Sequence, residues 1–325
     1  MSLRSFARLW NQFFFREQSP VAMALFRIVY GALVIATLGL LRPDWLNWYG
    51  VHAWLSLPTA LKLGPGLRLN LFSIIPQSDA WIEAFFWFAL VSATLLTLGL
   101  FTRINSILVF ICLTSIQQRN LYITHGGDTF LRLAGFFLIF APAGAALSLD
   151  RVIRIRRGKE SRRIQPRSPW AQRMIQLQLS FMYLVAFLIK IKGAPWLHGT
   201  ALAYVYHLDE LRHFPIPGWF FRPTVLELGT WSALALEFSL GTLIWVKELR
   251  YPLLALGLLF HLWLEYSLNI PLFQWDILSA YVLFIDADDL SRTGHKIQKH
   301  IATWHEVDCD SDPERHLPAR FGTNR

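Results

Sequence analysis

The sequence predicts an all-α fold, a polytopic membrane helical bundle of about eight transmembrane helices. Three observations carry the prediction. Long apolar segments recur between residues 20 and 285, most of them interrupted by only one or two ionisable residues. Hydrophobic residues make up 54% of the 325-residue chain, against roughly 45–50% in soluble domains even with glycine counted. The formal charge of +9 is gathered in one place: Arg151, Arg154, Arg156, Arg157, Lys159, Arg162, Arg163 and Arg167 share a single loop between two apolar segments. A basic loop of that kind is the usual orientation signal of a membrane protein.

Residues 1–18 read as an interfacial amphipathic helix, with Leu3, Phe6, Leu9, Trp10, Phe13 and Phe14 set among Arg4, Arg8 and Arg16. No small-residue cleavage site follows a short apolar run, so no cleavable signal peptide is expected. Ser19 and Pro20 open the first segment, Pro20–Leu41. The serine hydroxyl can cap, and the missing proline N–H is harmless in a first turn. The next segments are Ala80–Phe101, Ile104–Tyr122, Asp128–Leu147, Ala171–Ile191, Leu226–Val246 and Pro252–Leu268. The last, Pro271–Ile285, is short for a span of ~20 residues, so it should be tilted, partly buried or re-entrant. Residues 291–325 read as a polar, disordered cytoplasmic tail.

Loop charge sets the orientation. With a cytoplasmic N-terminus, Arg103, the basic loop, and Lys247 with Arg250 all fall inside. Eight spans then place both termini in the cytoplasm, at the cytoplasmic membrane of a bacterium. Two long outer connections, residues 42–78 and 192–225, are rich in Trp and Tyr. They should lie on the membrane surface and roof a cavity. The basic loop is assigned to orientation and to contact with anionic lipid, so membrane lipid is an expected partner and nucleic acid is not. Cys112 and Cys309 give neither a disulfide framework nor a zinc site, and no histidine pair has metal-binding spacing. No metal is expected.

A charge in hydrocarbon is costly. Arg27, Asp128, Arg132, Lys190, Glu227, Glu237, His261, Glu265 and Asp276 must therefore face a protein interior, a watery cavity or an interface, and function is to be sought among them. Arg27 should pair with a carboxylate. Asn120 leads into His125-Gly126-Gly127-Asp128, where Asp128 either caps a helix or serves a site, and His125 reads as a solvated loop residue. Lys190 and Lys192 stand before Trp196 at the outer end of the fifth segment. A lysine there either snorkels to the interface or points into a dry cavity as a base. His261 and Glu265 are four apart, on one helix face. Gln176, Tyr183 and Glu237 are further interior polar groups; hydrogen bonding between helices accounts for Gln176 and Glu237.

These pieces, in this order, resemble the horizontally transferred transmembrane domain (HTTM) family, which is related to the vitamin K-dependent gamma-carboxylases. The matching residues are Phe26-Arg27-Ile-Val-Tyr-Gly31; Asn120 with Gly126-Gly127-Asp128; Ala141-Pro142-Ala-Gly144 with Ser148-Leu149-Asp150; and Trp170 with Arg173-Met-Ile-Gln176-Leu-Gln178. They continue with Tyr183, Lys190-x-x-Gly193-x-x-Trp196-x-x-Gly199-Thr200, Glu237, His261 and the segment from Phe273 to Phe284. The resemblance covers residues 15–290 and assigns 19–290 to the transmembrane domain.

The resemblance implies a reduced, vitamin K-like quinone as cofactor and carboxylase-like chemistry of the carbon–carbon lyase type. In the carboxylase a lysine before a Trp-x-x-Gly motif deprotonates the hydroquinone. That lysine corresponds to Lys190, with Lys192 as the rival register. Asp128 and His261 then complete the catalytic set. Arg27, Asn120, Gln176, Tyr183, Trp196 and Glu237 would bind substrate or quinone. Asp128 stands where the animal enzyme has histidine, which leaves protein carboxylation open. The other function class is a non-enzymatic membrane protein that assists peptide or lipoprotein maturation or export, or binds lipid. A peptide or protein substrate is compatible with either. A secondary transporter is disfavoured, since no repeated half-structure is evident.

Overall fold

The computed structural model describes residues 2–63, 69–286 and 289–290. The expected tail, residues 291–325, lies outside the described residues. Among the described residues the protein is helical, and the only strand-like pairings are isolated bridges at Gln18–Arg167 and Arg212–Leu268.

The amphipathic N-terminal run forms α1 (Leu3–Phe15), with Phe6, Leu9, Trp10 and Phe15 half exposed. The apolar segments then fold in order. They form α2 (Val21–Leu41), α5 (Asp79–Leu98), α6 (Thr102–Arg119), α7 (Gly126–Phe140), α9 (Trp170–Lys190), α12 (Pro223–Thr242) and α13 (Lys247–Ser267). Short helices occupy the connections: α3 (Trp45–Tyr49) and α4 (Leu57–Leu63) in the first long loop, α8 (Leu149–Arg156) in the basic loop, and α10 (Ala194–Leu197) and α11 (Ala201–Tyr206) in the second long loop. Three helices, α2, α5 and α9, are long and apolar enough to cross a membrane. The others are shorter or carry more polar positions.

Sequential helices pack as neighbours from α2 through α5, α6, α7, α9 and α12 to α13. Small residues set the closest approaches. A Cβ on Gly31 would stand 2.2 Å from Thr97 Oγ1, and one on Gly257 would stand 2.3 Å from Tyr281 Oη. Without water to drive association, such close packing holds membrane helices together.

The short last segment is the centre of the arrangement. It forms α14 (Phe273–Ser279) and then five residues of 3-10 helix, Ala280–Phe284. It packs against α2, α7, α9 and α13. Gln274, Asp276, Ile277, Leu283 and Phe284 are all buried. Of the three expectations for this segment, burial is what the packing shows. Its carbonyls are capped from outside the segment: Leu283 O accepts Gln172 Nε2 at 2.8 Å and Gln176 Nε2 at 2.7 Å.

The first long loop is less superficial than its composition suggests. Trp45 is 1% exposed, donates Nε1–H to Ile82 O at 3.1 Å, and packs in tilted ring contacts with Tyr49 and Phe72. These rings tie the loop to α5. In the second long loop, Phe220 lies 4.6 Å from Trp263, and Trp263 donates to Tyr206 Oη at 2.8 Å. That loop is thereby held on the end of α13.

Candidate functional site

A cavity of about 360 Å³ opens where α2, α3, α6 and the start of α7 meet. Its apolar wall includes Leu40, Leu41, Trp48, Ile116, Ile123 and Leu272; its polar groups are Thr37, Tyr49, Gln117, Thr124, His125 and Asp128. An apolar pocket with a few convergent polar groups is the usual form of a small-molecule site.

The polar groups are fixed by local structure. His125 is the N-cap of α7: its Nδ1 accepts the N–H groups of Gly127 at 3.1 Å and Asp128 at 3.4 Å. The Asp128 carboxylate returns the contact, accepting the His125 N–H at 2.9 Å. This is a reciprocal capping box. His125 Nε2 lies 3.0 Å from Pro271 O, so it carries the proton and donates to the carbonyl, leaving Nδ1 as the acceptor. The Phe273 ring meets the imidazole edge-on at 5.6 Å. His125 is thus a structural cap at a cavity wall and not the solvated loop residue expected from sequence.

Gln117 donates Nε2–H to Asp128 O at 3.0 Å, while its buried Oε1 has no hydrogen-bond partner among the described residues. Burial pushes the Tyr49 phenol above its ordinary range; the charge on Asp128 adds to this and Arg119 opposes it. Tyr49 therefore lies within the fields of both groups. Arg119 is itself 1% exposed and donates to Leu55 O at 2.6 Å.

The other residues singled out in the sequence fall into separate places. Lys190 Nζ donates to Glu237 Oε1 across the α9–α12 contact, and Trp196 lies 4.9 Å from the ammonium. His261 and Tyr183 are joined in a buried chain: His261 Nδ1–H donates to Gln274 Oε1 at 2.5 Å, His261 Nε2 accepts Tyr183 O–H at 2.6 Å, and Tyr281 O–H donates to Tyr183 Oη at 2.7 Å. Neither Lys190 nor His261 lines the cavity that Asp128 lines. Asn120 Oδ1 caps a 3-10 turn by accepting Tyr122 N–H at 3.1 Å. Gln176 spans from Arg173 to Leu283 O.

Arg27 is fully buried, and its expected carboxylate partner is absent from its contacts. The guanidinium donates instead to three carbonyls, Ala143 O at 2.8 Å, Leu147 O at 2.5 Å and Thr97 O at 3.4 Å. The nearby Asp150 is engaged elsewhere, accepting from Phe101 N, Thr102 N and Thr102 Oγ1. Arg27 thus fastens the turn after α7 to the end of α5. The sequence reading missed Gln117, Tyr49 and His125 as cavity groups. The Gly-Gly pair beside Asp128 was the one signal for them, because it marks a backbone that something approaches closely.

Among the described residues no cluster of histidine, cysteine and carboxylates could hold a metal ion. Apolar helices around buried polar groups are the form of a membrane protein. The chain belongs to the HTTM domain family, whose sequence profile matches residues 15–288, and it is thereby a membrane protein related to the gamma-carboxylases. No curated protein and no solved structure matches the chain significantly.

Proposed function

We propose that this protein is a multi-pass protein of a bacterial cytoplasmic membrane, with about eight crossings and both termini inside, that binds a reduced quinone in the outer cavity. The single observation behind the reading is one carboxylate, Asp128, within walls formed largely by Leu, Ile and Trp side chains. A hydroquinone is a flat apolar ring with two hydroxyl donors, one of which answers that acceptor. Trp48 supplies a ring face for it and Leu40, Leu41 and Ile116 surround its apolar body. With oxygen, a reduced quinone supplies a base strong enough to take a proton from carbon. Asp128 is the group that accepts the hydroxyl proton in the cavity. In this reading α1 lies in the cytoplasmic interface.

The site is tested with purified protein in lipid nanodiscs, given menaquinol or vitamin K hydroquinone. Asp128→Asn should weaken quinol binding about tenfold or more, the loss of one charge-assisted hydrogen bond. Epoxide formation in oxygen should fail in Asp128→Asn. Its loss in Lys190→Ala, with retention in Lys192→Ala and Asp128→Asn, would move the chemistry to the α9–α12 rim. A protein that binds no quinol at all refutes the reading.

One observation favours the second class. The lysine that the family resemblance makes the base is held by Glu237. A non-enzymatic protein that binds lipid in the same cavity and assists peptide or lipoprotein maturation would keep that pair intact.

A further inference from the structure

Charge alone makes the basic loop an orientation signal; the fold adds an apolar half to it. Glu160 takes two of the loop's cations: its Oε1 accepts Arg151 Nε–H at 3.2 Å and its Oε2 accepts Arg154 Nε–H at 2.6 Å. Arg151 also donates to Arg162 O at 2.7 Å, and Arg154 to Gly144 O at 2.9 Å. The chain after α8 is thereby fastened to the helix. The other cations are left over. Arg156, Arg157, Lys159, Arg162 and Arg163 are exposed, and among the described residues none has a carboxylate within ion-pair distance.

Leu149, Val152 and Ile153 stand at i, i+3 and i+4 on α8, so they share one face, and all three are exposed. Two bulky residues next to this helix, Phe101 and Leu147, are held in left-handed backbone, each at φ 46°. Residues with a Cβ enter that region at a cost. Their turns are kept there by polar contacts. The Asp150 carboxylate accepts the N–H groups of Phe101 and Thr102, both at 2.8 Å, and Arg27 donates to Leu147 O. Yet the two side chains are 62 and 51% exposed, so they gain little packing from the protein itself. The other amphipathic helix, α1, comes to the same end of the bundle. Gln18, three residues beyond it, exchanges backbone hydrogen bonds with Arg167 at 3.0 and 2.9 Å.

We propose that α8, with the turns at Phe101 and Leu147, is a docking surface for anionic phospholipid. The apolar side chains enter the acyl boundary, and Arg156, Arg157, Arg162 and Arg163 take the phosphodiester headgroups. Unpaired guanidinium groups beside unpacked apolar side chains match that boundary, where phosphate meets hydrocarbon. A nucleic acid would answer the charges and leave the apolar face in water. The docking goes beyond the quinol reading and does not depend on what fills the outer cavity.

The test uses the full chain in vesicles of phosphatidylcholine and phosphatidylglycerol. Spin-labelled phosphatidylglycerol should be immobilised at the protein surface in preference to spin-labelled phosphatidylcholine. That preference should be lost when Arg156, Arg157, Arg162 and Arg163 are all changed to glutamine. It should persist in Lys62→Gln with Arg222→Gln, which removes two cations from the long loops at the other end of the bundle. No preference, or one indifferent to the four-arginine change, overturns the proposal. A nitroxide at Ile153→Cys reads the apolar half without altering a charge; Cys112 is buried, and Cys309→Ser removes the other thiol. The label should collide more with oxygen than with a water-soluble nickel chelate. A label open to the chelate would leave the arginines to a soluble polyanion, and it too overturns the proposal. If the four-arginine variant does not assemble, the nitroxide measurement decides by itself.

Discussion

Lys190 on α9 and Glu237 on α12 form an ion pair across a helix interface, and the second carboxylate oxygen of Glu237 is buried with no partner among the described residues. The pair balances charge but leaves one buried acceptor unsatisfied. Lys190→Ala leaves an isolated buried carboxylate and should destabilise the fold by about 3–5 kcal/mol. Lys190→Ala combined with Glu237→Leu should recover much of that loss. Thermal unfolding of the single and double variants in one detergent gives the coupling. A loss in the double variant equal to the sum of the losses in Lys190→Ala and Glu237→Leu would show that the pair contributes nothing.

Tyr30 Oη is buried without a hydrogen-bond partner among the described residues and lies 2.2 Å from where a Gly135 Cβ would stand. Gly135→Ala should destabilise by about 1–3 kcal/mol through overpacking between α2 and α7. Tyr30→Phe removes only an unsatisfied hydroxyl, so alone it should be neutral or stabilising. Together the two should lose less than Gly135→Ala does alone. A melting-temperature series of the three variants decides it.

Arg27 reaches three carbonyls from one planar group. A lysine ammonium is a single point donor on a different stem, so Arg27→Lys is not conservative here. The loss should be about 2–3 kcal/mol, the worth of one or two hydrogen bonds to a charged group. Limited proteolysis should then cut first in the turn after α7, residues 141–148, which the guanidinium fastens. Unchanged cleavage there would remove Arg27 from that role.

Glu160, in the basic loop, carries a clear pH dependence. Hydrogen bonds from Arg154 and then Arg151, at 2.6 and 3.2 Å, hold its carboxyl below the ordinary range. A group depressed on folding contributes stability above its unfolded value, near ~4.3 for glutamate, and loses it as pH falls through the folded value. Glu160→Gln should therefore be less stable than wild type at neutral pH, with the gap closing below about pH 4. The check is unfolding of both proteins across an acid series; a gap that persists at low pH would point to packing instead.

Much of the fold is legible in apolar run length. Seven of the eight segments became helices, though the fourth stops at Phe140 and not Leu147, and the seventh starts at Lys247 and not Pro252. The eighth was legible only as too short, because its 3-10 ending depends on the glutamines of α9 that cap Leu283. The short helices of the long loops were hidden for a similar reason: Trp45 reads as an interfacial aromatic until Ile82 O and Phe72 are placed beside it. The site was less legible still. Arg27 called for a carboxylate by charge alone, and the turn after α7 met it with carbonyls, a tertiary arrangement between residues more than a hundred apart. Lys190 and Glu237 were each visible as interior charges, but their pairing across 47 residues was not.

The placement of α14 bears on how the protein is made. The segment packed against α2, α7, α9 and α13 is the last of the eight to leave the ribosome. Until Phe284 has been synthesised, the faces of α2, α7, α9 and α13 that pack on this segment lack that neighbour. A nascent chain halted before Phe273 would expose Tyr183, His261 and the Gln172–Gln176 face to lipid, and such a chain is a natural target for membrane quality control.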